Sequence, residues 1–107
     1  MTAPLAPVGR FVVPSGHPSL PGHFPGHPMV PGVVLLDEMI ALILDCLPGM
    51  TVTGIVASKF TAVVLPGQVV EVARGPVATD RLDFLCTVAG ATVARGTLRL
   101  APAMETP

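Results

Sequence analysis

The last third of the chain alternates between apolar and other residues with a period of two, which is typical of half-buried β-strands. Every second residue from Leu82 to Val88 is apolar, and the charged Asp83 stands between two of them. A second alternating run, residues 91–101, follows Gly90. Two such runs separated by a glycine turn predict a β-hairpin.

Three other segments are also predicted as strands, because turn-forming residues delimit stretches rich in β-branched side chains. They are Arg10–Pro14, Thr51–Val64 and Gln68–Arg74, and Pro66-Gly67 provides the turn between the last two. With the hairpin strands Leu82–Ala89 and Ala91–Ala101, the sequence predicts four or five strands.

A different pattern fills the middle of the chain, where residues 31–47 are apolar nearly all round a helical projection. Pro31 suits the first position of a helix, and Pro48-Gly49 would end it. We expect a buried central helix. One helix with four or five antiparallel strands predicts a single α+β domain in which the sheet wraps round the helix.

Composition limits the classes of protein that this chain can belong to. Its 107 residues suit one domain, predicted over residues 10–102 between a flexible lead (1–9) and a flexible tail (103–107). Charged residues make up 12%, against about 25% in typical soluble domains, so we expect another subunit to cover part of the apolar surface. A net charge of −1 and 4% aromatic residues argue against nucleic-acid binding.

The apolar stretches and the cysteines indicate a cytoplasmic protein. The longest apolar stretch, Val33–Leu47, contains three carboxylates, so no membrane span is predicted. The first ten residues have no apolar core, and we expect no signal peptide. Cys46 and Cys86 follow no metal or redox spacing and are predicted to be free, buried thiols in a reducing compartment.

All three histidines lie in one proline-rich segment, Ser15–Gly32, which is predicted to be a stiff loop. A zinc site could be built from His17, His23 and His27 with an acid, but their spacing matches no recognised ligand pattern. We therefore predict no metal. The alternative for each histidine is a loop side chain that bonds a backbone carbonyl.

Two positions of the predicted helix are candidates for chemistry. Asp37 shares a stripe with Val33 and Leu44, and a carboxylate desolvated in such a stripe can hold a proton near neutral pH. The alternative is an acid favoured by the helix dipole, and Glu38 is predicted to be a solvated surface charge. At the helix start, the Gly32 N–H is placed to bind an oxyanion, unless Pro31-Gly32 is an ordinary loop-to-helix junction.

The run from His23 to Gly32 reads His-Phe-Pro-Gly-His-Pro-Met-Val-Pro-Gly, and Asp37 stands fourteen residues after the histidine. This pattern resembles the signature of the β-hydroxyacyl-acyl-carrier-protein dehydratases of the FabZ and FabA type. The stretch from Gly54 to Phe60, continued to Pro66-Gly67, is similar to a second signature of that family. The resemblance covers about residues 17–101.

The resemblance implies a hotdog fold, a homodimer with its sites at the interface, no cofactor, and a thioester substrate on acyl carrier protein. The implied reaction converts (3R)-3-hydroxyacyl thioesters into trans-2-enoyl thioesters, in fatty acid or polyene-type biosynthesis. His23 of one subunit would be the base and Asp37 of the other the acid, while the Gly32 N–H would bind the enolate oxygen. Lys59 is the first candidate for contact with the acidic carrier protein.

Some features depart from the family pattern. Asp37 replaces the usual glutamate, Ala41 stands where a glutamine is common, and the chain is short. These departures resemble small dehydratase-like proteins of specialised polyene (aryl polyene type) or lipid pathways. Two alternatives remain: a hydratase or thioesterase on the same fold, and a non-catalytic acyl-binding subunit that forms a heterodimer with an active paralogue.

Overall fold

One helix and five strands make up the computed structural model, which describes residues 5–14 and 29–103. In chain order they are β1 (Ala6–Val12), α1 (Gly32–Asp45), β2 (Met50–Phe60), β3 (Val69–Arg74), β4 (Arg81–Val88) and β5 (Ala91–Pro102). The α+β class predicted from the sequence is confirmed.

The five strands form one antiparallel sheet in the order β1-β3-β4-β5-β2. Helix α1 contacts β1 and β2, which are the two opposite edges, as well as β3. A helix reaches both edges of a sheet only if the sheet curves around it. The architecture is therefore the hotdog fold, with the core between α1 and the concave face of the sheet.

Helix α1 is buried on one face rather than all round, which corrects the prediction of a fully buried helix. Leu35, Met39 and Ile43 are buried at a spacing of four residues, which places them on one side. On the other side Val33 is 64% exposed in the single chain. The helix starts at Gly32, and Pro31 is its N-cap rather than its first residue. Within the described ranges, no helix is long and apolar enough to cross a membrane.

The strand boundaries lie within one or two residues of the predictions except at two places. Strand β1 starts at Ala6, inside the predicted flexible lead, because an edge strand with a register shift between Pro7 and Gly9 accommodates a proline. Strand β2 stops at Phe60, short of the predicted end at Val64. Beyond Phe60 the chain leaves the sheet, and the Val64 carbonyl oxygen accepts a hydrogen bond from the Val30 N–H (2.8 Å).

The predicted hairpin joins β4 and β5, and its turn has the expected chemistry. Ala89 and Gly90 both have positive φ angles (51° and 83°), as a two-residue type I′ turn requires. Alternate residues of β4 are buried, as the sequence pattern predicts. One of them is Cys86, and burial raises the pKa of its thiol to about 11. Cys46 is exposed, contrary to the prediction, because it follows the last turn of α1.

Gly96 in β5 is a point of very close approach between strands. A Cβ atom at this position would collide with the Ala57 carbonyl oxygen of β2 and lie 2.9 Å from two atoms of the buried Phe84 ring. The register of the two strands shifts between Ile55 and Ala57, next to this close approach. The long pairing of β2 with β5 therefore requires glycine here.

We expect Gly96→Ala to lower the free energy of unfolding by about 1–3 kcal/mol, the usual cost of overpacking a filled interior. Urea denaturation at a fixed protein concentration measures the change. Gly54→Ala is the matched control, because a Cβ on Gly54, in the same pair of strands, would meet nothing within 4 Å. Equal stability of the two variants would show that the close approach at Gly96 is not a constraint.

Candidate active site

Of the predicted catalytic residues, Gly32 and Asp37 lie in the described part of the chain. His23 does not, since it falls between residues 14 and 29, as do His17 and His27. Its role as the base stays a prediction. In residues 5–14 and 29–103 no three histidine, cysteine, aspartate or glutamate side chains group together as metal ligands.

The start of α1 presents backbone donors that have no acceptor among the described residues. The Pro31 carbonyl oxygen accepts hydrogen bonds from the N–H groups of Val34 (3.0 Å) and Leu35 (3.1 Å). The Gly32 and Val33 N–H groups precede these and have no acceptor inside the helix. Together with the positive end of the helix dipole, these N–H groups can stabilise a negative charge that develops on a substrate oxygen.

The space beside Gly32 is filled by an aromatic ring rather than left for a ligand. A Cβ atom on Gly32 would lie 3.0 Å from Cζ of Phe60 and 3.3–3.4 Å from its two Cε atoms. The tip of the ring therefore rests where a side chain would otherwise project. Glycine at the helix start makes room for the Phe60 ring. The sequence pattern did not predict this contact.

Asp37 lies one turn beyond Val33 on the uncovered face of α1 and is exposed in the single chain. The stripe around it is apolar as predicted, but no other part of the described chain covers it. The predicted desolvation of Asp37 is therefore not provided by its own subunit. Glu38 is also exposed, as predicted.

Lys59 does not share a surface with Gly32. Because successive residues of a strand point to opposite faces, Phe60 faces α1 while Lys59 points to the outer face of the sheet. There it pairs directly with Arg95 of β5. Both border an open cleft of about 560 Å³, whose lining includes Leu5, Asp83 and Leu85.

Strand β2 is an edge of the sheet with apolar residues exposed on both of its faces. Ile55 and Phe60 are each 45% exposed, and Val56 between them is also exposed. Among the described strands, β2 pairs with β5 alone, so the backbone groups along its outer side have no strand partner. A long apolar strand in this position is suited to pairing with another chain.

Comparison with protein families gives a match over most of the chain. A family model described as ApeI dehydratase matches residues 6–97. The chain belongs to the ApeI-like dehydratase family. The match includes the segment from His23 to Asp37 and the stretch from Gly54 to Phe60, so it confirms the resemblance seen in the sequence.

Curated relatives of this ApeI-like chain are dehydratases. It is 36% identical over 93 residues to the 3-hydroxyacyl-[acyl-carrier-protein] dehydratase FabZ of Myxococcus xanthus, covering 74% of this chain and 61% of that one. It is 28% identical over 108 residues to the FabZ of Acetivibrio thermocellus, covering 88% and 73%. The chain thus spans less than two thirds of the Myxococcus relative.

Solved structures share the fold of the ApeI-like chain. An uncharacterised protein from Erwinia carotovora subsp. atroseptica aligns with a TM-score of 0.78 at 28% identity, covering 90% of this chain and 82% of that one. The dehydratase heterocomplex ApeI:P from Xenorhabdus doucetiae gives 0.76 at 20%, covering 94% and 99%. The fluoroacetyl-CoA thioesterase FlK gives 0.64 at 20%, covering 94% and 87%.

Proposed function

We propose that this ApeI-like protein removes water from (3R)-3-hydroxyacyl thioesters on acyl carrier protein and forms trans-2-enoyl thioesters. The observation that carries the proposal is the placement of Asp37 on the open face of α1, one turn beyond the Gly32 N–H, which has no acceptor among the described residues. The spacing from His23 to Asp37 and the FabZ relatives support the same reaction.

Each residue has a role that suits its chemistry. His23 takes a proton from C2 of the substrate, because a neutral imidazole is a good base near neutral pH. The Gly32 N–H donates to the carbonyl oxygen as enolate charge develops there. Asp37 gives a proton to the departing C3 hydroxyl. The C2–H and C3–O bonds break, the C2–C3 double bond forms and water leaves, with no cofactor required.

The proposed acid needs a drier environment than a single chain supplies. A second subunit packed on the exposed side of α1 and β2 would cover Asp37 and Val33 and bring a second His23 loop to the site. We therefore propose a homodimer with His23 and Asp37 of each site on different subunits. The alternative to a homodimer is a heterodimer with a related chain, by analogy with the solved ApeI:P heterocomplex.

Replacing either proposed catalytic residue should abolish most of the activity. We expect His23→Ala and Asp37→Asn each to lower kcat by about 10²–10⁴-fold, the usual contribution of a positioned acid or base. The assay follows enoyl product from a 3-hydroxyacyl carrier-protein substrate. Glu38→Gln is the control, since it removes an adjacent exposed carboxylate. Unchanged turnover in either test variant would remove that residue from the mechanism.

The same assay separates the alternative functions. Release of free acid and carrier-protein thiol instead of enoyl product would identify a thioesterase, the activity named for the structural neighbour FlK. No reaction by the chain alone, followed by turnover after addition of a related dehydratase chain, would identify a subunit of a heterocomplex.

A charged substitution on the edge strand β2 should prevent the proposed dimer from forming. We expect Val56→Asp to convert a dimer into a monomer, because the buried carboxylate would have no partner in the interface. Analytical ultracentrifugation measures the mass. Val12→Asp is the control, as Val12 is an exposed apolar residue on the opposite edge strand. A wild-type chain that sediments as a monomer would contradict the homodimer and leave the heterodimer.

We also propose that Lys59 and Arg95 contact the acidic carrier protein. Two cations directly opposite each other in a sheet repel, and an anionic partner relieves that repulsion. Neither forms an ion pair in the described residues, whereas Arg81 and Arg99 both lie beside Asp80.

Charge reversal should therefore weaken carrier-protein binding without harming the chemistry. We expect Lys59→Glu to raise KM for the carrier-bound substrate about tenfold, and to leave KM for the same acyl group on pantetheine unchanged. Arg10→Glu, on strand β1, is the control. An equal rise for both substrates would place the effect in the active site instead.

A further inference from the structure

The Phe60 ring lies against the start of α1, although nearly half of it is exposed. The next residue, Thr61, donates from its N–H to the Val93 carbonyl oxygen and from its Oγ1 to the Thr92 carbonyl oxygen, both at 2.9 Å. Three residues further on, Val64 accepts the Val30 N–H. These bonds fix the chain after Phe60 to β5 and to the segment that leads into α1.

The contact between Phe60 and Gly32 is also tight. The end of the ring lies within 3.0–3.4 Å of where a Gly32 Cβ would be, which leaves no room for any group between them. Nearly half of Phe60 remains exposed in the single chain, as does Val33. An aromatic surface therefore stands directly beside the first residue of α1, whose N–H has no acceptor among the described residues.

This arrangement limits what can bind next to the proposed oxyanion donor. When a thioester carbonyl oxygen accepts the Gly32 N–H, the attached C2 carbon lies one bond beyond the carbonyl carbon. A straight acyl chain presents only hydrogen atoms at C2. A methyl branch there must find space close to the Phe60 ring, whose backbone is held to β5 by the two hydrogen bonds of Thr61.

We propose that Phe60 is a specificity-determining residue that selects acyl thioesters without a branch at C2. The proposal rests on the proposed function, because it takes the Gly32 N–H as the donor to the substrate carbonyl. It adds a substrate class, C2-unbranched thioesters, and assigns the selection to one side chain outside the sequence signature of the loop.

The test compares 3-hydroxyacyl carrier-protein substrates with and without a C2 methyl group. We expect wild-type protein to prefer the unbranched substrate in kcat/KM by about tenfold or more, the usual range for one methylene against a fitted wall. Phe60→Leu should reduce that preference about tenfold, because the shorter side chain does not reach Gly32. Phe60→Ala is a second variant with a larger opening, and Val77→Ala is a control at another exposed apolar residue.

The ratio of the two substrates distinguishes selection from a general loss of structure. A merely structural role for Phe60 would lower activity on both substrates together and leave the ratio unchanged, which would overturn the proposal. A wild-type enzyme without preference for the unbranched substrate would also overturn it.

A binding measurement separates this proposal from the proposed dehydration. Non-hydrolysable amide analogues of the two acyl-pantetheines are titrated into wild-type protein and Phe60→Leu by calorimetry. If wild-type protein dehydrates neither substrate, the proposed reaction fails, but a preference for the unbranched analogue that disappears in Phe60→Leu still supports the role of Phe60. Failure of both analogues to bind, together with no enoyl product from either carrier-protein substrate, would overturn both proposals.

Discussion

The packing of one face of α1 against a curved sheet determines where everything else lies. Leu35, Met39 and Ile43 project to one side of a helix of only fourteen residues, and each is almost completely buried. Once these three are in place, the rotation of the helix is fixed, and Asp37 must lie on the uncovered side. The same packing brings the first turn of α1 to the end of β2, where Phe60 meets Gly32.

The sequence was sufficient to predict the elements because its local signals agree with the global fold. The alternation in β4, the glycine turn at Gly90 and the proline at the end of the helix each predict their element correctly. The ends of β1 and β2 were less predictable. Pairing of Ala6 with Arg74, and of Val30 with Val64, depends on tertiary contacts that local composition does not record.

The residues of the candidate site that belong to a sequence motif could be predicted, whereas the contacts made by tertiary packing could not. The motif picked out Gly32 and Asp37, and the structure places both in the same helix. It gave no indication that the ring of Phe60 rests on Gly32, because that contact joins two segments nearly thirty residues apart. The exposure of Asp37 was also unexpected, since helical periodicity describes the stripe around a residue but not the element that covers it.

The surface of the single chain explains the unusual composition. A helix with an apolar stripe on its uncovered face and an edge strand with apolar residues on both faces need few charges. Two surfaces differ in the charges that they carry. Asp37 and Glu38 are exposed on α1, whereas Lys59 and Arg95 border the cleft on the outer face of the sheet together with Asp83. The open side of α1 and the outer face of the sheet are thus chemically different surfaces.

The order of strands also determines how much chain each pairing must close. Strand β1 precedes the other described strands, yet its partner β3 lies far along the chain, so this pairing closes the longest loop among the described strand pairs. The β4–β5 hairpin, by contrast, needs only its two-residue turn. Until the longer loop closes, Pro7 and the irregularity beside Gly9 make β1 a poor template for other chains. The strand with the most distant partner thus carries a proline that limits its pairing with other chains.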